Sequence, residues 1–130
     1  MSEQTMFPGI VSVLEHTLPD GWNTVIFYAE YSDDAFSIEY YVKMQRLDNF
    51  IKCFSIPGIE RAALLNDFLE IDEVISAERE SLDQSKRWSS MTLVLQASGK
   101  FRVDYGYDNS DESPYLKKQE WKKKYLGVSS

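Results

Sequence analysis

The chain has 130 residues, a formal net charge of −7, and a composition that is 43% hydrophobic and 14% aromatic. A chain of this length and composition can bury enough apolar surface to fold as one domain over residues 1–130, which excludes an intrinsically disordered protein. The negative charge disfavours nucleic acid as a direct ligand and favours a cationic partner.

Two further features indicate where the protein acts. The single cysteine, Cys53, excludes an internal disulfide and fits a reducing compartment. No apolar run approaches the roughly 18 residues of a membrane span, and the N-terminal residues lack the basic and apolar regions of a signal peptide. We therefore expect a cytoplasmic protein that has no membrane partner.

Hydrophobic periodicity predicts a short helix and three strands in the first half of the chain. The helix covers residues 6–17 and is expected to begin near Pro8 and Gly9, because neither residue suits a helix interior. Alternation and β-branched residues predict strands over 22–32, 35–44 and 50–54. The first strand is apolar on both faces, which is typical of a central strand covered on two sides.

The longest predicted helix covers residues 59–82. Acidic residues crowd one of its faces, and the opposite face is expected to pack on the sheet. The residues assigned to this apolar stripe are Ile59, Ala62, Ala63, Leu65, Phe68, Leu69, Val74, Ile75 and Leu82.

Residues 88–107 predict a β-hairpin around which the second half of the chain is organised. Ser98-Gly99 supplies its turn, because glycine adopts the positive φ that a tight hairpin needs. Phe101 is expected to be buried. The alternating apolar residues are Met91, Leu93 and Leu95 on one arm and Phe101, Val103, Tyr105 and Tyr107 on the other.

A closing helix is predicted to begin at Pro114, whose missing N–H costs nothing in a first turn. We expect this helix to dock Tyr115, Trp121 and Tyr125 against the hairpin. The element order α-βββ-α-ββ-α, with short links between strands, predicts an α+β fold. Its single antiparallel β-sheet has about five strands, with the helices packed on it.

Charge and aromatic residues are unevenly distributed along the chain. Residues 60–83 hold eight acidic side chains against two arginines, and residues 104–112 hold four acids and no base. The closing helix reverses this sign with five lysines against one glutamate. Tyrosines from neighbouring strands, placed beside exposed acids, are typical of a protein-binding face, although rings that fill both faces of the sheet account for part of them.

Residue types that carry catalysis are few. His16 is the only histidine and is expected to be solvated, and Cys53 is expected to be a buried small hydrophobic residue. We therefore expect no catalytic residue, no cofactor and no metal. Two alternatives remain open. One is a metal-dependent or acid–base enzyme that uses Asp104, Asp108 and Glu39, and the other is a small-ligand module with the aromatic sheet as its floor.

Several short motifs follow one another along nearly the whole chain. In the first half they are Leu18-Pro19-Asp20-Gly21-Trp22, Phe27-Tyr28-Ala29-Glu30 and Phe36-Ser37-Ile38-Glu39-Tyr40-Tyr41. In the second half they are Trp88-Ser89-Ser90-Met91-Thr92-Leu93, Gly99-Lys100-Phe101, Asp104-Tyr105, Tyr107-Asp108 and Trp121-Lys122-Lys123-Lys124-Tyr125-Leu126. Their order along the chain resembles that of the YezG-like family. The family's usual aromatic-Asp-Tyr pattern is altered in this chain by Gly106.

The resemblance implies a bacterial immunity protein, or antitoxin, that is not an enzyme. Such a protein binds and neutralises the toxic domain of a cognate secreted polymorphic toxin, several of which are nucleases. The expected partner is therefore a toxin protein with a basic toxic domain, and the free protein is expected to be a monomer or weak dimer. The residues predicted to bind this partner are Asp104, Tyr105, Tyr107, Asp108, Asp111 and Glu112, together with Asp33 and Asp34.

Overall fold

The computed structural model describes residues 3–31, 35–47, 49–56, 58–107 and 114–127. Short 3₁₀ turns at Cys53–Ser55 and Gln84–Lys86 precede the second helix and the fourth strand. The observed elements confirm the predicted α+β fold and element order. In chain order they are α1 (Glu3–Leu14), β1 (Trp22–Tyr31), β2 (Phe36–Met44), β3 (Phe50–Lys52), α2 (Arg61–Glu80), β4 (Ser90–Gln96), β5 (Phe101–Gly106) and α3 (Pro114–Tyr125).

The described strands form one antiparallel sheet in the order β3-β2-β1-β4-β5. Strand β1 is central, as its two apolar faces predict. The β4–β5 hairpin has the predicted register, with Leu93 opposite Val103 and Met91 opposite Tyr105. Gly99 adopts a φ of +96° at the hairpin turn, a conformation that side chains other than glycine rarely allow.

The hydrophobic core lies between one face of the sheet and helices α1 and α2. Alternate residues of β1, β2 and β4 point into it because side chains alternate across a strand. Trp88, in the segment before β4, is its largest fully buried side chain. The other principal members are Met6, Ile10 and Leu14 of α1, Val25, Phe27 and Ala29 of β1, Tyr40 and Val42 of β2, Leu64, Phe68, Ile71 and Ile75 of α2, and Met91 and Leu93 of β4.

The opposite face of the sheet is covered by α3, which gives three layers. The Trp121 ring lies 4.9 Å from that of Tyr28 in β1 and 5.6 Å from that of Tyr41 in β2. The predicted docking of Trp121 and Tyr125 is therefore confirmed, while the side chain of Tyr115 lies outside the description. None of the helices in the described ranges combines the length and apolar composition that a bilayer crossing requires.

Helix α2 packs through only part of the predicted face. As predicted, Phe68 and Ile75 are buried, and Ile59, Val74 and Leu82 pack against the core. Its buried residues are Leu64, Phe68, Ile71, Ile75 and Glu78. Four residues of the predicted stripe are instead exposed, namely Ala62, Ala63, Leu65 and Leu69. The run from Leu64 through Phe68 and Ile71 to Ile75 continues over three turns at helical spacing and buries more apolar area than the shorter run through Leu65 and Leu69.

Three smaller predictions are also corrected. Phe101 is 55% exposed rather than buried, because β5 is an edge strand and the ring meets only the rim of α1, 5.7 Å from the Phe7 ring. Helix α1 begins at Glu3 rather than near Pro8, which lies inside it on an exposed position. Strand β3 ends at Lys52 because Cys53 opens a 3₁₀ turn.

Candidate protein-binding site

An open cleft of about 1430 Å³ lies between α3 and the end of the sheet where β1 and β5 finish and β4 begins. Its lining includes the predicted site residues Asp104, Tyr105 and Tyr107. Its described lining is mixed in charge rather than acidic. The basic side chains are those of Arg79, Arg87, Lys117, Lys118 and Lys124, and the acidic ones are those of Glu30, Asp104 and Glu120.

Lys118 is held on the floor of this cleft by one carboxylate and two aromatic rings. Its Nζ donates to Glu39 Oε2 at 2.7 Å. The same ammonium lies 4.7 Å from the centre of the Tyr28 ring and 4.8 Å from that of Trp121. An ammonium over aromatic faces gains cation–π attraction in addition to the ion pair, so Lys118 is a fixed part of the α3–sheet contact.

Glu39 is the acidic partner in this contact, and its side chain is only 12% exposed. Burial acts to raise its pKa, but hydrogen bonds from Lys118 and Tyr41 and the charges of Lys118 and Lys52 outweigh burial and lower the pKa below its ordinary value of 4.5. Burial, reinforced by the hydrogen bond to Glu39, raises the pKa of Tyr41 well above 10. At neutral pH the carboxylate is ionised and the phenol is protonated, as the hydrogen bond between them requires.

Trp121 and Tyr125 anchor α3 to the hairpin through polar tips as well as rings. Trp121 Nε1 donates to the buried Thr92 Oγ1 at 3.0 Å. The Tyr125 hydroxyl donates to Asp104 Oδ2 at 2.5 Å. Burial, followed by the hydrogen bond to Asp104, raises the pKa of Tyr125 to about 12. Asp104 is therefore tied into the fold through α3.

At the other side of the cleft, Arg79 of α2 is held against two rings. Its guanidinium lies 4.7 Å from the centre of the Tyr31 ring and 5.4 Å from that of Trp88. Its Nε donates to the Trp88 carbonyl oxygen at 3.0 Å. The Trp88 ring stacks on Tyr105 at 5.4 Å, so Tyr105 is a packing residue on the core face of β5.

The eight predicted partner-binding residues thus have different places. Asp104 and Tyr105 point to opposite faces of β5, as strand alternation requires, and both make contacts within the fold. Tyr107 is 57% exposed and is available to a partner. The remaining five, Asp33, Asp34, Asp108, Asp111 and Glu112, lie outside the described residues.

The sequence named Glu39 only in the alternative enzyme site with Asp104 and Asp108, and it did not select Lys118 or Arg79. A partial signal was present for the Lys118–Glu39 contact. Glu39 and Tyr41 alternate onto the same strand face, and Lys118 precedes Trp121 by one helical turn. Which face of α3 meets the sheet is fixed only by the tertiary contacts.

The chemistry of the described side chains is limited. In the part of the chain that the structure describes, no three His, Cys, Asp or Glu side chains are grouped closely enough to hold a metal ion. His16 is more than half exposed and its Nδ1 lies 3.3 Å from Asp67 Oδ1. Cys53 is fully buried, as predicted, and burial raises the pKa of its thiol. The described side chains of this region therefore make structural contacts. Those that are exposed present polar and aromatic surface that a protein partner could contact.

Comparison of the sequence with known families gives the class of protein. The family model described as "Immunity protein YezG-like" matches residues 4–130, so the chain belongs to the YezG-like family of immunity proteins. The name of this family indicates an inhibitor rather than an enzyme.

Two curated relatives carry the same family name. A Bacillus spizizenii protein named Immunity protein YezG is 26% identical over 131 residues, which cover 95% of this chain and 81% of the relative. A Bacillus subtilis strain 168 protein of the same name is 26% identical over 134 residues, covering 96% of this chain and 88% of the relative. The family resemblance noted in the sequence is thereby confirmed.

Proposed function

We propose that this chain binds the toxic domain of a cognate secreted bacterial toxin and neutralises it by stoichiometric protein–protein inhibition. The observation that carries the proposal is family membership over residues 4–130. The proposed site of action is the cytoplasm, and the free protein is proposed to be a monomer or weak dimer.

The proposed target is a basic toxic domain, and we propose nuclease activity for it. The chain's net charge of −7 supports this choice. A nuclease needs a basic groove to hold the phosphate backbone, and an acidic inhibitor is attracted to such a groove from a distance. Occupying or overlapping that groove excludes the substrate without any chemistry by the inhibitor.

We place part of the interface at the end of the β4–β5 hairpin, in segment 104–112, with Asp33 and Asp34 as further candidates. Tyr107 supports this placement because it is 57% exposed at the rim of the cleft. Exposed tyrosine supplies rigid contact area with a polar tip and often anchors interfaces. In this proposal the acids at 108, 111 and 112 act by steering association.

The experiment is co-expression of the neighbouring toxin gene with this chain, followed by binding kinetics with the purified toxic domain. Wild type is expected to protect the cells and to form a tight complex. Tyr107→Ala is expected to accelerate dissociation, while Tyr107→Phe, which keeps the ring, serves as its matched control.

A triple variant with Asp108→Asn, Asp111→Asn and Glu112→Gln separates steering from anchoring. It is expected to associate more slowly and with a flatter salt dependence, while its dissociation rate changes little. Unchanged association would remove this segment from the interface. No binding of the wild type to the neighbouring toxin would overturn the proposed function itself.

A further inference from the structure

Helix α2 presents apolar side chains to solvent on the face opposite its packed side. Leu65 is 44% exposed and Leu69 is 56% exposed, one helical turn apart, and the exposed Ala62 precedes them by another turn. We call these three residues the outer strip. Residues at this spacing lie on one helix face, and they point away from the core that Leu64, Phe68, Ile71 and Ile75 help to build.

Phe54 extends the outer strip toward the edge of the sheet that carries β3. It is 40% exposed, meets the Phe68 ring edge-on at 6.0 Å, and lies under Arg61 with 4.8 Å between guanidinium and ring centre. Arg61 precedes Leu65 by one turn, so the ring flanks the strip. Single exposed apolar residues need no explanation, but several at contiguous positions often mark an interaction surface.

The surroundings of the outer strip are acidic. Glu60, Glu70, Glu73 and Glu80 are all exposed on or next to α2, and the basic residue Arg61 is already stacked on Phe54. An apolar centre with a charged rim is the usual arrangement of a protein interface. With 20 residues, α2 is about 30 Å long and about 10 Å wide. Its outer face therefore offers roughly 300 Å², which is a part of the roughly 800 Å² that one side of a standard interface buries.

Charge decides between the possible occupants of this surface. If a second copy packed its α2 in parallel, Glu70 and Glu73 would face the same two glutamates of that copy. If it packed antiparallel, they would face the apolar end of its outer strip. Either arrangement is unfavourable, because it brings like charges together or desolvates unpaired ones. A partner with basic side chains around an apolar centre matches the strip in both respects.

We propose that the outer strip of α2 is a second contact surface for the basic toxic domain, separate from the hairpin end. This inference rests on the proposed function, because the partner is the same toxin. The strip lies beside Phe54 near the β3 edge, while Tyr107 follows β5 at the other edge of the sheet. Substitutions in one surface therefore leave the other intact.

The test measures binding of the toxic domain encoded beside this gene to wild type and to a Leu65→Ala/Leu69→Ala double variant. The double variant is expected to bind about tenfold more weakly or worse, mainly through faster dissociation. Leu47→Ala is the matched control, since Leu47 is 51% exposed in the turn after β2, and it is expected to bind like wild type. Unchanged circular dichroism shows that the double variant folds.

Charge reversal provides a second arm that leaves the leucines in place. Glu70→Lys/Glu73→Lys is expected to slow association about tenfold at low salt. Glu15→Lys/Asp20→Lys changes the net charge equally at exposed positions outside both α2 and the cleft and is expected to have a much smaller effect.

The outcomes separate the inference from the proposed function. Binding by wild type that both α2 variants leave unchanged would overturn the outer strip while the proposed function stands. Self-association of the free protein that Leu65→Ala/Leu69→Ala abolishes would assign the strip to a second copy and also overturn the inference. Failure of the wild type to bind would overturn the proposed function from which the inference starts.

Discussion

At the scale of single residues, Trp121 joins α3 to three strands of the sheet through Tyr28, Tyr41 and Thr92. Its ring lies within 6 Å of three tyrosine rings, and its Nε1 donates to Thr92. Trp121→Ala is expected to lower the free energy of unfolding by about 2–4 kcal/mol, at the lower end of large core truncations because the ring is only partly buried. Urea unfolding measures this change.

Trp121→Phe separates the ring contacts from the hydrogen bond. This variant is expected to lower the free energy of unfolding by about 1 kcal/mol, since it leaves the buried Thr92 hydroxyl without the indole N–H donor. Tyr107→Ala, at an exposed position, is the control and is expected to change stability by less than about 0.5 kcal/mol. An unfolding midpoint for Trp121→Ala equal to that of wild type would show that α3 contributes nothing to the cooperative unit.

The Lys118–Glu39 pair predicts a pH dependence of stability in the acid range. Because the folded pKa of Glu39 is lower than its ordinary value of 4.5, the pair stabilises the fold above that value and loses its contribution as pH falls through the lowered pKa. Glu39→Gln is expected to be less stable than wild type at neutral pH, with a smaller difference at the acid end.

Unfolding measured from neutral pH down to below the lowered pKa of Glu39 tests this expectation. Lys118→Met keeps the aliphatic stem and removes the charge. Its free energy of unfolding is expected to lie below that of wild type at neutral pH, and the difference should shrink as the pH falls through the lowered pKa of Glu39. A constant stability difference between wild type and Glu39→Gln across the whole range would contradict the assignment.

At the scale of elements, the β4–β5 hairpin depends on a close approach at its open end. Gly106 pairs with Ser90, and a Cβ added at Gly106 would lie 2.3 Å from Ser90 Oγ. The Ser90 hydroxyl can turn to another rotamer, so Gly106→Ala is expected to lower the free energy of unfolding by only about 1 kcal/mol, at the low end of overpacking. Ser90→Ala in the same chain removes the clashing oxygen and should restore most of the loss in a double-mutant cycle.

Thermal or urea unfolding of the four proteins in that cycle provides the measurement. If the two substitutions lower the free energy of unfolding additively, the added Cβ does not meet the Ser90 hydroxyl, and the strands instead move apart locally. The cycle also tests whether the Ser90 hydroxyl is what makes glycine necessary at position 106.

Strands were more predictable than helix orientation in this chain. Alternation of Met91, Leu93 and Leu95 against Val103 and Tyr105 specifies both the pairing and the buried face, because a strand has only two faces. Alternation does not reveal whether a strand lies at the edge of the sheet. The exposure of Phe101, in the edge strand β5, was therefore not predicted.

Helix α2 illustrates why rotation about a helix axis was harder to predict. Leu64 and Leu65 are adjacent, as are Phe68 and Leu69, so two overlapping apolar runs compete for the core. The run that continues through Ile71 buries more area and wins, but this decision depends on the length and position of the sheet beneath it.

The candidate site was predictable only in part. Tyr107 is exposed at the cleft, while Asp104 and Tyr105 have structural partners, Tyr125 and Trp88, that are far away in sequence. Lys118 and Glu39 come together only because α3 crosses the face of β2. Contacts between distant segments therefore decide which acids and aromatics are free for a partner.

At the scale of the whole molecule, charge is organised by layer. Helix α2 carries exposed acids on its outer face, whereas the lysine-rich α3 covers the other side of the sheet and holds one lysine in an ion pair with Glu39. A basic partner is therefore expected to be attracted by the acids of α2 and of segment 104–112 rather than by the lysines of α3. Raising the salt concentration should slow association of the complex more than it changes dissociation.

We propose that this chain neutralises its toxin by forming a stoichiometric complex. Titrating the purified chain into a fixed amount of the neighbouring gene's toxic domain, with nucleic acid cleavage as the readout, tests it most directly. We predict a linear fall in activity that reaches zero at about one molar equivalent, as tight binding requires. Full activity in large molar excess of the chain, or complete loss at a small fraction of an equivalent, would contradict the claim.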